Sequence, residues 1–281
     1  VTASHRILHL SDTHLFGDGR RHYDLVDTRA ALERVLERAS SLGTLDAVVA
    51  SGDLSEDGSA ESYRILSGLL EPWAAERGAQ VVYAMGNHDL PEPFEEVLGE
   101  RERVVEVHGL RIVTVDSTVA GAGYGEVGEQ RLDRLREILS ESADHGTVVV
   151  LHHPPTPPTT GLFESLRLVD PEPLLEACRE GDVRAILAGH YHHALVTETD
   201  PGYIPMVVAP AVANTTDVLW PAPGERAVRG SGFALIDLPD DEPVRAHIVS
   251  VPAPDDGETV YELDAADVTR IAETSGWRGE Q

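Results

Sequence analysis

The sequence contains no lysine, a single cysteine and two methionines, and aromatic residues fill only 5% of its 281 positions. Cys178 has no second cysteine to pair with. That excludes an internal disulfide and a structural Cys-zinc site, and it suits a reducing compartment. All 22 basic residues are arginines, set against 49 acidic residues for a net charge of −27. So acidic a surface repels phosphate backbones and argues against binding of a nucleic-acid polymer. No apolar run approaches the ~18 to 20 residues that cross a bilayer, and none has the form of a signal peptide, so a cytoplasmic protein without a membrane span is expected. Repeats and long linkers are also missing. What is present is 41% hydrophobic residues, spread in short apolar runs along the whole chain, enough for a sizeable core. We expect one domain over residues 1–281, with residues 264–281 as a C-terminal helix and loose tail.

The apolar runs alternate with helical patterns through the first two-thirds. Arg6–Leu10, Ala47–Ala50, Val81–Ala84, Arg111–Val115, Val148–Leu151 and Ala185–Ala188 read as strands. Between them, Ala31, Leu32, Val35, Leu36 and Ala39 recur at helical spacing behind a capping Asp27 or Thr28, and Gly43 stops the run. Further helices are predicted from about Ala60 to Arg77, Glu129 to Ser142 and Pro171 to Glu180. After residue 200, short β-like runs separated by Pro, Gly and Asp suggest mostly antiparallel strands. The expected fold is α/β: a four-layer α-β-β-α sandwich of two mixed sheets flanked by helices.

Chemistry-bearing residues cluster just after these strands: Asp12-Thr13-His14, Gly52-Asp53, Gly86-Asn87-His88-Asp89, His152-His153 and Gly189-His190-Tyr191-His192-His193. In open α/β sheets the loops beyond the carboxyl ends of strands converge on one crevice. Residues two apart in extended backbone face the same way, so Asp12 with His14, and His190 with His192, can each aim two donors at one point. Carboxylate oxygens and imidazole nitrogens without thiolates suit Fe, Mn or Zn, and a bridging carboxylate permits a two-ion, phosphoester-cleaving site. Each motif alone is a common turn or loop. Five of them in order, each behind a predicted strand, point to a shared site.

That ordered set resembles the calcineurin-like metallophosphoesterase superfamily, whose pattern is D-x-H, G-D, G-N-H-[DE], H and G-H-x-H. Flanking text at Leu8–Leu15, Arg21–Thr28 and Ala185–His192 is similar to the bacterial class III cyclic-nucleotide phosphodiesterases. The resemblance implies one metal held by Asp12, His14, Asp53 and His192, and a second held by the bridging Asp53 with Asn87, His152 and His190. It implies His88 as the catalytic acid with Asp89 orienting it, and Asn87 and His88 as substrate contacts. It prefers His152 to His153 as the ligand, because the family ligand is the first His after the strand. The activity implied is attack of a metal-bound hydroxide on small phosphodiesters, above all opening of 3′,5′-cyclic nucleotides such as cAMP to 5′-nucleotides, by an enzyme that commonly dimerises. A glycerophosphodiesterase, a 2′,3′-cyclic nucleotide phosphodiesterase and a non-catalytic scaffold are the competing readings. The loop Gly121–Glu126 departs from the His-rich version in a mycobacterial member, which makes Tyr124 a candidate substitute contact. Pro154–Thr160 is a candidate wall of the pocket, and Asn214, Thr215 and Thr216 are further candidates. His153 and His193 are read as structural or as supports behind the ligands, His5, His9, His22, His108, His145 and His247 as structural or solvated, and Cys178 as a small apolar filler.

Overall fold

The computed structural model describes residues 4–200 and 202–279. Its first sheet runs in the order Arg245–Ser250, Gly232–Pro239, Ser4–Leu10, Ala47–Ser51, Gln80–Ala84, with the last three parallel and the others antiparallel. The second runs Leu195–Glu198, Pro205–Val208, Val183–Ala188, Thr147–Val150, Leu110–Thr114, Val104–Val107, with a parallel centre and antiparallel edges. Both sheets are mixed, as expected.

The period-two alternation of β-structure sorts each strand between two cores. In the first sheet, Leu8, Val48 and Ala50 turn outward onto Leu32, Val35 and Leu66 of helices Thr28–Arg38 and Ala60–Ala75. Their neighbours Ile7, Ala47 and Val49 turn inward and meet Ile112, Val148, Val150 and Leu187 of the second sheet. That sheet's other face, through Val113, Val149 and Ile186, covers Leu132, Leu135, Leu174 and Cys178 of helices Glu129–Leu139 and Glu172–Glu180. Helix, sheet, sheet and helix therefore stack in four layers. Each fully buried Val, Leu or Ile contributes about 1.5–3 kcal/mol, so these strands are fixed in register by both faces at once. Asp27 caps the first helix by accepting from Ala30 N at 2.9 Å.

Two features depart from expectation. Pro205–Val208 runs parallel to Val183–Ala188, because Leu195–Glu198 takes the antiparallel edge beside it. Helices Pro91–Leu98 and Gly161–Leu166 are too short for a periodic signal to register. The C-terminal helix, Ala265–Ser275, begins at the Asp264 cap and lies against Gly161–Leu166, with Trp277 N donating to Ser165 O at 2.8 Å. Residues 280 and 281 of the expected tail lie outside the described residues. Among the described residues no helix is long and apolar enough to cross a membrane.

Candidate metal centre

The loops after five parallel strands, Ser4–Leu10, Ala47–Ser51, Gln80–Ala84, Thr147–Val150 and Val183–Ala188, meet at one edge of the two sheets. Backbone hydrogen bonds stitch them together: Asp12 N to Gly52 O at 3.0 Å, His14 N to Asp53 O at 3.0 Å, Gly189 N to His152 O at 3.0 Å and Ala213 N to Asp12 O at 3.1 Å. Five of the seven expected ligands, Asp12, His14, Asp53, His190 and His192, have left-handed backbones with φ of 53°, 43°, 48°, 71° and 55°. A non-glycine residue held there costs roughly 1–3 kcal/mol, and such strain concentrates where a site over-determines the backbone. Of the motif glycines only Gly52 needs positive φ. Gly86 and Gly189 are required by close approach: a Cβ would stand 2.2 Å from Asp53 N at the first and 1.7 Å from Ser11 Oγ at the second.

The donor atoms converge. His14 Nε2 and His192 Nε2 approach to 3.0 Å, and His192 Nε2 lies 3.4 Å from Asp12 Oδ1. Asp53 Oδ2 stands 3.8 Å from His14 Nε2 and 3.3 Å from His152 Nε2, which puts one oxygen between two groups of imidazoles. Its other oxygen accepts from His88 N at 2.8 Å. Tautomers follow from the outward-facing nitrogens. His14 Nδ1 donates to Glu56 Oε2 at 2.6 Å, His152 Nδ1 to Ser51 O at 2.8 Å and His190 Nε2 to Leu166 O at 2.9 Å. In its neutral form each then turns a bare lone pair inward. Lone pairs facing one another and a carboxylate repel unless a cation sits among them, and His152 Nε2 and Asn87 Oδ1 are buried with no hydrogen-bond partner. Ligands at 2.0–2.2 Å from a shared ion stand about 3–3.5 Å apart, so the set fits divalent metals. Burial lowers the pKa of His192 to about 3 and that of His190 well below its usual value, which keeps both in the neutral, ligating form. Burial opposes charge on Asp53, but positive charge on His152, His88 and His14 in their protonated forms holds its carboxyl well below the usual range, a part that cations would take over when His14 and His152 ligate them as neutral imidazoles.

His88 is displayed differently. Its side chain remains 42% exposed at the mouth of the site, with Nδ1 at 3.2 Å from Glu56 Oε2. Burial works against its charge, yet Asp53 and Glu56 outweigh it and raise the pKa to about 10. Asp89, expected to orient His88, makes its hydrogen bonds elsewhere. Its carboxylate accepts from Gly86 N at 2.8 Å, Ser55 N at 2.9 Å, Tyr63 Oη at 3.0 Å and Leu54 N at 3.1 Å. It braces the turns that carry Asp53 and Asn87, while the contact to His88 falls to Glu56. Glu56 also faces His22 Nδ1 at 3.7 Å, and the His22 and His14 rings lie 4.8 Å apart. Neither Glu56 nor His22 stood out in the sequence; the only available signal was that both lie close to motif residues without ligand spacing.

The centre opens into a cleft of about 180 Å³. One wall carries His14, Asp53, Asn87, His88, His190 and His192. The other carries Tyr23, Phe163, Leu166, Tyr261, Leu263 and Ile271. Asn214 also lines it, with both amide atoms buried and without partners. Tyr124 and the Pro154–Thr160 segment do not line the cleft; the wall comes instead from the short helix that follows, because Gly123 is tied back to Ser275 O and Thr156 to the Tyr191 hydroxyl. His153 is fully engaged by Ser117 Oγ at 2.9 Å and Gly123 O at 3.2 Å. His9 is buried against Ser51 Oγ at 2.8 Å. Cys178 fills the outer core, where burial raises its thiol pKa to about 12.

Comparison with known proteins places this geometry. The calcineurin-like phosphoesterase family model matches residues 5–194. A probable cyclic nucleotide phosphodiesterase of Rhodococcus erythropolis is 39% identical, over 96% of this chain and 93% of its own. A cAMP/cGMP dual specificity phosphodiesterase of Mycobacterium tuberculosis is also 39% identical, over 86% of this chain and 78% of its own. Among solved structures, a purple acid phosphatase from yellow lupin seeds superposes with a TM-score of 0.62 at 11% identity, covering 96% of this chain and 55% of that one, a likeness of fold.

Proposed function

Because the chain belongs to the calcineurin-like phosphoesterase family, we propose that it is a dinuclear-metal phosphodiesterase whose substrates are small phosphodiesters, 3′,5′-cyclic nucleotides foremost. The observation that carries this reading is the single carboxylate oxygen of Asp53 standing between His14 and His152, with further unpartnered donors around it. Asp12, His14, Asp53 and His192 would hold one ion, and Asp53, Asn87, His152 and His190 the other. Such ions polarise phosphoryl oxygens, lower the pKa of water and spread the charge that develops in the transition state. An all-nitrogen-and-oxygen donor set favours iron, manganese or zinc.

The chain's own residues supply the rest. Glu56 anchors the Nδ1 side of both His14 and His88, which leaves His88 Nε2 free toward the cleft as a proton donor for the departing alkoxide. The Glu56 carboxylate beside it favours the protonated imidazole. Asn214 offers an amide that can recognise a sugar hydroxyl or base edge. The apolar wall, with Tyr23 and Tyr261 rings 4.9 Å apart, suits a purine face. The 39% identical relatives named as cyclic nucleotide and cAMP/cGMP phosphodiesterases support that choice of substrate. A cytoplasmic location belongs to the same reading, supported by the free buried thiol of Cys178.

A hydrolysis panel with added Mn²⁺ tests the proposal: 3′,5′-cAMP, 3′,5′-cGMP, 2′,3′-cAMP, a glycerophosphodiester and a nitrophenyl phosphodiester. The 3′,5′-cyclic nucleotides are expected to give the highest kcat/KM. A glycerophosphodiester or 2′,3′-cAMP turned over faster would replace the substrate assignment, and no hydrolysis of any member would leave only a scaffold.

A further inference from the structure

A second group of histidines and aspartates lies at the opposite pole of the sheets. His5 lies at the start of the strand Ser4–Leu10, whose far end leads to Asp12, seven residues or roughly 20 Å away at β-strand rise. One ring nitrogen of His5, one of His145 and one carboxylate oxygen of Asp240 lie within 4.8 Å of one another. The imidazole rings of His5 and His145 stand 4.9 Å apart, and His145 Nδ1 is 2.8 Å from Asp240 Oδ1. His5 is only 4% exposed, and neither of its ring nitrogens makes a hydrogen bond. A buried imidazole nitrogen without a hydrogen bond is costly. Its Nδ1 faces Asp46 Oδ1 at 3.4 Å, and Asp46 is itself fixed by Arg6 N at 2.8 Å and His108 Nδ1 at 2.9 Å. That leaves Nε2 as the free donor, backed by a carboxylate as metal-bound imidazoles are.

From these positions we infer that His5, His145 and Asp240 form a peripheral site for a divalent transition metal of the zinc type, separate from the catalytic pair. Two imidazoles and a carboxylate give three ligands, and water completes a tetrahedron. The three residues come from the first strand of one sheet, the turn before strand Thr147–Val150 of the other, and the turn after strand Gly232–Pro239. An ion there would tie both sheets together at the pole remote from the chemistry. Its role is structural, and it binds without changing turnover.

The test is zinc stoichiometry, by elemental analysis after equilibrium dialysis, on the wild type, His145→Ala and Asp240→Asn. Each variant should bind one zinc fewer per chain and keep the wild-type kcat on a nitrophenyl phosphodiester. In an Asp53→Asn background, where the catalytic pair is weakened, zinc should still raise the melting temperature, and adding His145→Ala should abolish that rise. Unchanged zinc content in both variants, or a zinc-induced rise that survives His145→Ala in the Asp53→Asn protein, would overturn the assignment.

Discussion

The two walls of the cleft obey different rules. The metal wall is built from residues whose backbones are strained, whose side chains are locked by outward hydrogen bonds, and whose positions tolerate little change: Asp12, His14, Asp53, His190 and His192 all sit at positive φ. The apolar wall is built from Phe163 and Leu166 on a six-residue helix and from Tyr261, Leu263 and Ile271 near the end of the chain, elements joined by side-chain packing and by the backbone bond from Trp277 N to Ser165 O. The first wall is suited to chemistry, which needs donors placed to within a fraction of an ångström. The second is suited to selection, which needs shape and area. The two meet at one bond: His190 Nε2 donates to Leu166 O at 2.9 Å, so a metal-wall imidazole is oriented by the carbonyl of an apolar-wall residue.

The sharpest break would come at Asp53, whose carboxylate serves both groups of imidazoles. Asp53→Ala is expected to lose bound metal and activity together, by about 10³-fold or more, since removing a single preorganised charge-stabilising group already costs 10²–10³. Metal analysis beside a rate measurement checks it; an active, metal-poor variant would separate the wall from the chemistry. His88→Ala should keep its metal and lose roughly 10²–10⁴ in kcat, because only the proton donor is gone. Glu56→Gln divides the two effects. It should weaken metal affinity by about 10–100-fold through His14, and raising Mn²⁺ should restore occupancy while leaving the kcat deficit owed to His88.

The convergence of the proposed ligands was legible because each follows a strand and lies within a short polar motif: Asp12 and His14 two apart, His190 and His192 two apart, Asn87 beside Gly86. The four-layer fold was legible for a related reason. Runs such as Ala47–Ala50 and Val148–Leu151 are apolar on both faces, which marks central strands covered on both sides. The apolar wall could not be read this way. Phe163, Tyr261 and Ile271 carry no chemical signature and come together only through the packing of two helices and the strand Thr259–Leu263, brought from distant parts of the sequence. Asp89 misled for a different reason: adjacency to His88 suggested contact, but the turn sends its carboxylate inward to Leu54, Ser55 and Gly86. Glu56 takes its place across space.

Trimming the apolar wall should move selection without moving chemistry. Phe163→Ala and Ile271→Ala are expected to raise KM for a cyclic nucleotide by about 5–30-fold, the range set by 1–2 kcal/mol of lost contact, with kcat held near wild type. Saturation kinetics with cAMP would show it. A fall in kcat with unchanged KM would mean that the helix at Phe163 acts through the Leu166 carbonyl on His190 instead.

The smallest effect is expected behind the apolar wall, at Glu225. Its side chain is 1% exposed, and neither carboxylate oxygen has a hydrogen-bond partner of good geometry. Burial is the dominant cause of a pKa raised to about 7, only partly offset by the Thr160 hydroxyl and Leu162 N–H at the start of the Gly161–Leu166 helix. The sign follows from linkage. The folded state holds this proton more tightly than the unfolded chain, whose Glu titrates near 4.5, so stability is greatest below that pH, falls as pH rises toward about 7, and is level above. Glu225→Gln removes the ionisation. It should leave stability at pH 4.5 nearly unchanged and raise it by about 1–3 kcal/mol at pH 8 relative to wild type. Denaturant unfolding of both proteins at the two pH values measures that difference. An equal effect at both would mean that the carboxyl is paired in the folded protein, and that the apolar wall is held more firmly than its chemistry implies.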